Sequence, residues 1–375
     1  MALTATSISR KPAFHFRRWI AWLLVPLYAL LFAEVFVRIF MPTAIIPRYV
    51  TGAPYGVRVG MPNMSFPQTS SEMHVQIRTN SRGIRADREY TYEKPAGTCR
   101  IILFGDSMFV GYEVEVEDSF SYILEKKLQA AGYKCEVINL AVSGFGTAEM
   151  LIALQNEGLK YHPDIVVFSS HVTDLDDNVR SSLYTLDEKD NLVKQNAKFL
   201  PGIEASDYLS KIYIYRWIVE NSQFYSAIRE RAAFYFKNFL VRWKMQEDTA
   251  DVTGNSGRAE KRSAKPPFPD RLNLRLMQEA KRVTEADGAR FCILEIPFNV
   301  SRTKFARQLP GYDTETVNAL HIFSPLSSFQ AAASPNHKIY YEKAHGHLSP
   351  FGNQLLTDYF FTQLIDIGWL SKQFP

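Results

Sequence analysis

The amino-acid sequence predicts an α/β fold built on a doubly wound parallel sheet. Two observations carry this. From Arg100 onward, short apolar runs that read as buried strands alternate with segments whose apolar residues recur at helical spacing. The first two of these runs end in turns rich in Gly and Ser, Gly105-Asp106-Ser107 and Ser143-Gly144-Phe145-Gly146. Such alternation places helices on both faces of a parallel sheet, with the site beyond the carboxyl ends of the strands. A chain of 375 residues is long enough for one large domain or two ordinary ones.

The elements follow in order. Residues 1–18 carry Arg10, Lys11, Arg17 and Arg18 and precede the longest apolar run of the chain, Trp19 to Phe40. Roughly 20 residues of helix cross a bilayer core, so residues 19–40 are expected to form a transmembrane anchor. Its basic flank puts the N-terminus in the cytoplasm and the rest of the chain outside it. Glu34 and Arg38 stand one helical turn apart and can pair on one face. A cleaved signal peptide and a buried core helix are the other readings, and no small-x-small cleavage site stands near the end of the run.

Residues 41–98 are rich in Pro, Gly, Ser and Thr and read as a linker and N-terminal extension, leading into extended segments that pack on the main domain, with a strand at Met73–Arg78. The main domain is expected over residues 99–375. Strands are predicted at Arg100–Phe104, Cys135–Val142, Ile165–Ser169 and Phe291–Pro297. Helices are predicted at Ser119–Ala131, Thr147–Leu159 with Thr147 as N-cap, Leu274–Ala286, and Pro350–Ile367 with Ser349 as N-cap. Between residues 180 and 270 the alternation stops. Tyr208–Trp243 is helical in pattern and dense in aromatics, a stripe read as packing, with a lid over the site as the alternative. Residues 246–267 read as a disordered loop.

Composition narrows the function classes. A net charge of +4 without a dense Lys/Arg run argues against nucleic acid as a partner. Three cysteines make no disulfide scaffold. If the strands that begin beside Cys99 and Cys135 are parallel neighbours, the two cysteines share a sheet edge, and either a bridge or two free thiols would fit.

The candidate chemistry is nucleophilic. Gly105-Asp106-Ser107 follows a buried strand and precedes a helix, a turn that exposes the Ser107 hydroxyl and can aim its N–H at an oxyanion. His347, in Ala344-His345-Gly346-His347-Leu348-Ser349-Pro350, is the candidate general base. Gly144 can bring a backbone N–H to the same oxyanion. Asn139 reads as a polar core residue tying neighbouring loops together. His171, His345 and His347 match no metal spacing, so no metal and no cofactor are expected.

Four blocks carry a resemblance: Arg100–Tyr112 (RIILFGDSMFVGY), Glu136–Thr147 (EVINLAVSGFGT), Pro163–Asn178 (PDIVVFSSHVTDLDDN) and His345–Asn353 (HGHLSPFGN). In order and spacing they resemble the SGNH/GDSL hydrolase superfamily, and the preceding Asn80–Arg85 segment is similar to a lead-in of its membrane-anchored bacterial members. The resemblance implies a flavodoxin-like three-layer fold with the 180–270 region as a helical insertion. It implies Ser107 as nucleophile and oxyanion donor, Gly144 as second donor and His347 as base. It further implies acyl esters of sugars, lipids or peptidoglycan as substrates, with hydrolysis or acyl transfer as the outcome. Two departures stand out. Thr173 occupies the place of the family's oxyanion Asn, and the acidic residue expected shortly before His347 is replaced by Ala344 and His345. Glu342, Asp174 or Asp176 could stand in for that acid, or a backbone carbonyl could hold His347 in a Ser-His dyad.

The expected protein is therefore a membrane-anchored serine esterase or O-acyltransferase at the bacterial inner membrane, its domain extracytoplasmic, acting on an envelope glycan. Ser107 and His347 would be catalytic. Ser107, Gly144 and Thr173 would form the oxyanion hole, with Asp106, Asn139, Asp174 and His345 as support. Two other readings remain: an inactive glycan-binding or polysaccharide-assembly protein, and a scaffold whose aromatic insertion docks a partner.

Overall fold

The structure is a computed structural model that describes residues 13–43, 45, 48–70, 72–171, 173–253, 266–307, 309, 311–342 and 346–371. Residues 1–12 of the expected cytoplasmic segment, 254–265 of the expected loop, Ala344 and His345 lie outside the described residues.

The chain opens with helix α1 (Ala13–Phe40). Two antiparallel hairpins follow: β1 (Val50–Gly52) with β2 (Arg58–Gly60), and β3 (Ser65–Thr69) with β4 (His74–Arg78). Then β5 (Cys99–Phe104), a short helix α2 (Ser107–Val110), α3 (Phe120–Ala130), β6 (Cys135–Asn139), α4 (Thr147–Asn156), β7 (Ile165–Ser170) and α5 (Thr173–Ser181) form the first half of a doubly wound domain. A hairpin β8 (Tyr184–Leu186) and β9 (Leu192–Lys194) leads to α6 (Ile203–Leu209), α7 (Tyr213–Asn221) and α8 (Gln223–Thr253). The second half is α9 (Phe268–Ala286), β10 (Arg290–Glu295), the hairpin β11 (Phe298–Ser301) and β12 (Lys304–Ala306), α10 (Thr314–Ala319), β13 (Ile322–Phe323), α11 (Leu326–Ala332) and α12 (Pro350–Asp366).

The central sheet has the order β6-β5-β7-β10-β13, and every pairing in it is parallel. Numbered along the sheet this is 2-1-3-4-5, the flavodoxin-like order. The expected doubly wound fold is present. Alternation along each strand explains the three layers. Ile102, Phe104, Ile138, Val166, Phe168, Phe291 and Ile293 face one core, under α4 and α9. Ile101, Leu103, Val137, Ile165, Val167, Cys292 and Leu294 face the other, under α3, α11 and α12. Phe104, Phe168 and Phe291 meet tilted and edge-on across three neighbouring strands, and full burial of each ring contributes about 1.5–3 kcal/mol.

Several boundaries move. The strand read as Cys135–Val142 stops at Asn139, although the Leu140 and Val142 N–H groups beyond it still donate to the Leu103 and Gly105 carbonyls, at 2.8 and 3.0 Å. Gly146 rather than Thr147 caps α4, and the Thr147 hydroxyl instead donates to Asn273 Oδ1 at 2.6 Å. Ser349 caps α12 as expected, accepting from the Gly352 N–H at 3.1 Å. Residues 246–253, read as loop, continue α8. Cys99 and Cys135 are register partners at one sheet edge, and both thiols are free and buried.

The extended segments that follow α1 pack on the main domain. The β3–β4 hairpin carries a small core of Phe66, Met73, Val75 and Ile77 that packs on Tyr341. The aromatic stripe read as packing is largely solvent-facing, since Tyr208, Tyr213, Trp217, Tyr235, Phe236 and Phe239 are all exposed. Among the residues whose side chains are described, no helix is long and apolar enough to cross a membrane. Glu34 and Arg38 do pair, at 2.7 Å, and Glu34 also caps α8 by accepting the N–H groups of Gln223 and Phe224, each at 3.0 Å.

Candidate active site

The nucleophile turn is set by local chemistry. Strand β5 ends at Phe104, and Asp106 N-caps α2 by accepting the Met108 N–H at 2.9 Å. Ser107 is the first residue of that helix. Its Oγ lies 2.8 Å from His347 Nε2. His347 sits on the strap before α12, where its carbonyl accepts the Tyr341 N–H at 2.9 Å and its neighbour Leu348 bridges to Tyr340. The ring is nearly buried and packs against Tyr112, with centroids 5.5 Å apart. A serine hydroxyl within hydrogen-bond reach of an imidazole is the pairing that nucleophilic catalysis requires.

A third group completes the set. Gly111 adopts a left-handed φ of 70° after α2 and turns the chain back, so that Glu113 points under His347. Glu113 Oε2 lies 3.2 Å from His347 Nδ1 and accepts the His347 backbone N–H at 3.2 Å. The Nδ1 contact is at pairing distance but off the line of a well-formed hydrogen bond. Glu113 is fully buried. The arrangement is a Ser-His-Glu triad.

The acids expected from the sequence are elsewhere. Glu342 pairs with Arg302 at 2.9 Å, and Asp176 is exposed on α5. Asp174 is buried and accepts the His171 N–H at 2.9 Å, which fixes the β7–α5 turn rather than His347. Sequence reasoning missed Glu113 because Glu113, Glu115 and Glu117 alternate with Tyr112, Val114 and Val116, a pattern that reads as one solvated face. Only the glycine two residues before Glu113 hinted that this face turns inward.

Thr173, expected as an oxyanion donor, is the first residue of α5 and lies beside the nucleophile turn. Its Oγ1 lies 3.2 Å from His171 Nδ1 and donates to Asp106 Oδ2 at 3.5 Å. His171 Nδ1 is itself 3.3 Å from Asp106 Oδ2. Asn139 ties loops as expected: its amide donates to the Phe109 carbonyl at 2.6 Å, and its Oδ1 accepts the Ala141 N–H at 3.1 Å. Gly144 has φ 76°, a conformation that suits glycine, in the loop between β6 and α4. His171 and His347 take part in no cluster of three or more metal-binding side chains among the described residues.

Burial alone would raise the Asp106 carboxyl. The His171 ring and the Met108 N–H outweigh burial and hold it below the ordinary carboxylate range. A depressed folded value means that ionised Asp106 stabilises the fold above the unfolded pKa, about 3.9, and that this stabilisation is lost as pH falls through the folded value. Asp106→Asn should therefore cost about 2 kcal/mol at pH 7. The gap to wild type should shrink below about pH 4. Urea midpoints at pH 7 and pH 3 check this, and an equal gap at both would show that the charge is not what matters.

Around this centre, α8 packs on α5. Burial raises the Tyr112 phenol well above its usual range, with Tyr49, Arg229 and Glu230 as its charged and polar neighbours. The insertion thus brings Arg229 and Glu230 to the residue that backs His347. A cavity of about 350 Å³ lies behind the loop after β6, walled by Tyr55, Ile84, Leu140, Phe145 and Tyr161, and neither Ser107 nor His347 lines it.

No family model and no curated protein matches this chain. Solved structures resemble it at low identity. One is described as the crystal structure of TesA, 11% identical over 72% of this chain and 99% of that one, with a TM-score of 0.38. Another is the psychrotrophic esterase EstA from Pseudoalteromonas sp. inhibited by monoethylphosphonate, 11% identical over 72% and 97% of the two chains, with a TM-score of 0.38. A third is the lipase/acylhydrolase from Enterococcus faecalis, 14% identical over 74% and 100%, with a TM-score of 0.34.

Proposed function

We propose that this chain is a serine ester hydrolase or O-acyltransferase of the SGNH kind. The observation that carries the reading is the hydrogen-bonded Ser107–His347 pair with a buried carboxylate behind it. His347 Nε2 takes the Ser107 proton as Oγ attacks the ester carbonyl. Glu113 holds the imidazolium that forms, and the Ser107 and Gly144 N–H groups stabilise the tetrahedral oxyanion. His347 then protonates the leaving alcohol, and an acyl-serine remains. Water or an acceptor hydroxyl, deprotonated by His347, attacks the acyl-serine and regenerates Ser107 (hydrolysis or transfer respectively).

The acyl donor and acceptor in this reading belong to an envelope glycan, by analogy at the level of fold and setting. The setting rests on α1. The run Trp19–Phe40 within it has 22 residues and, at 1.5 Å per residue, is about 33 Å long, about the thickness of a bilayer core. Leu24, Val25, Leu27, Leu30, Leu31 and Phe32 are exposed along it, and Trp19, Ile20 and Leu23 extend the apolar run in sequence. With Arg10, Lys11, Arg17 and Arg18 on the cytoplasmic side, the catalytic domain would face the periplasm.

A fluorophosphonate probe tests the core of the proposal. It should label the purified wild-type chain covalently, and the label should be absent from Ser107→Ala. Failure to label a folded wild-type chain would remove the activated serine and the hydrolase reading with it.

A further inference from the structure

Residues 41–98 read as a linker leading into extended segments that pack on the main domain, and two arginines in this segment grip the two loops at the candidate site. Arg85 is buried. Its guanidinium donates to the carbonyls of Val110, at 3.0 Å, Gly111 and Val114. Val110 ends α2, so these include carbonyls that the short helix leaves without a partner. The gripped segment, 110–114, contains Gly111, Tyr112 and Glu113, the turn and the carboxylate that meet His347. A planar fork of five donors can reach three carbonyls at once, which an ammonium on a flexible stem cannot do with fixed geometry.

Arg58, on β2, does the same on the opposite side. It donates to the carbonyls of Ser143 at 3.0 Å and Gly144 at 2.6 Å, and it pairs with the buried Glu149 at 2.8 Å. Glu149 Oε2 in turn accepts the Gly146 N–H at 3.1 Å. A Cβ on Gly144 would sit 3.0 Å from Arg58 Nη1, so the loop and the guanidinium fit without spare room. The ring of Tyr49 lies 5.5 Å from that of Tyr112.

We infer that the N-terminal segment is part of the catalytic machinery, with Arg85 positioning the Glu113 carboxylate and Arg58 positioning the Gly144 oxyanion loop. This rests on the hydrolase reading above. Neither arginine touches the reacting atoms, so both are positioning residues, and a displacement on the order of 1 Å at Glu113 or Gly144 is enough to slow chemistry about 100-fold.

The test uses the full chain, p-nitrophenyl acetate and the fluorophosphonate probe. Arg85→Lys keeps the charge and loses the fork. It should keep the wild-type melting temperature within a few degrees, lose kcat about 100-fold and hold KM within about two-fold. Arg58→Lys should behave likewise. In Arg85→Ala, added methylguanidinium should restore part of the lost kcat, a recovery that a general loss of stability would not show. Wild-type labelling with an Arg85→Lys chain that labels and turns over at the wild-type rate would overturn this inference alone. So would a loss of melting temperature with unchanged kcat per folded molecule. An unlabelled wild type would overturn the hydrolase reading and this inference together.

Discussion

A His347→Ala chain should turn over p-nitrophenyl acetate about 10⁶-fold more slowly than wild type, and Ser107→Ala should slow it by a similar factor. The reason is the 2.8 Å contact between Ser107 Oγ and His347 Nε2. A serine hydroxyl is a poor nucleophile until a base removes its proton, and the same imidazole must later protonate the leaving alcohol. Removing either partner abolishes both steps, so the double variant should be no slower than the singles. The fold should survive, because the strap that carries His347 is held by the Tyr341 N–H and by the Ser349 cap of α12, neither of which uses the imidazole. Stopped-flow turnover beside a thermal melt reads both quantities. Retention of activity within ten-fold in a folded His347→Ala chain would assign the base to another group, and His171 would be the first to examine.

The fold was legible in the sequence because parallel sheets announce themselves. Runs such as Ile101–Phe104 and Ile165–Phe168 are buried on both faces and stay apolar throughout, and of the helices between them α3 carries one apolar stripe while α4 is buried from Thr147 to Leu154. Ser107, His347 and Asn139 were legible for a related reason: each sits at a strand end or a helix start, where turn chemistry marks the chain. Residues 41–98 show little in sequence beyond extended segments, because their order does not come from periodicity. It comes from long-range polar contacts, Arg58 to the loop at residues 143–144 and Arg85 to the loop at 110–114, and no local pattern encodes a partner 25 to 86 residues away.

Thr173 stands beside the nucleophile turn. Its place in the third block suggests a substrate-facing donor, and its hydroxyl meets His171 at 3.2 Å and Asp106 at 3.5 Å. In the proposed mechanism the Gly144 N–H shares the oxyanion, and the left-handed turn at Gly144 is held by Arg58. The departure at the last block has a matching logic. The carboxylate absent from the His347 strap is supplied from the loop that follows the nucleophile, so one short stretch, residues 106–113, carries the helix cap, the nucleophile and the acid.

Glu113→Gln should lower kcat about 10⁴-fold with KM little changed, the size of effect seen when an orienting carboxylate becomes an amide. A carboxylate at Nδ1 only accepts, so it selects the tautomer with the proton on Nδ1 and leaves Nε2 free to take the serine proton. An amide can turn its NH₂ toward Nδ1 and select the other tautomer, in which Nε2 already bears hydrogen and cannot act as a base. Glu113→Asp keeps the charge but shortens the arm, and should fall between wild type and Glu113→Gln. Glu342→Gln and Asp176→Asn are the controls, since one pairs with Arg302 and the other is exposed, and both should stay within about two-fold of wild type. Steady-state kinetics on the four variants separate the possibilities. A Glu113→Gln chain that keeps kcat within three-fold would mean that the backbone alone holds His347, and the site would be a Ser-His dyad with Glu113 serving only to accept the His347 backbone N–H.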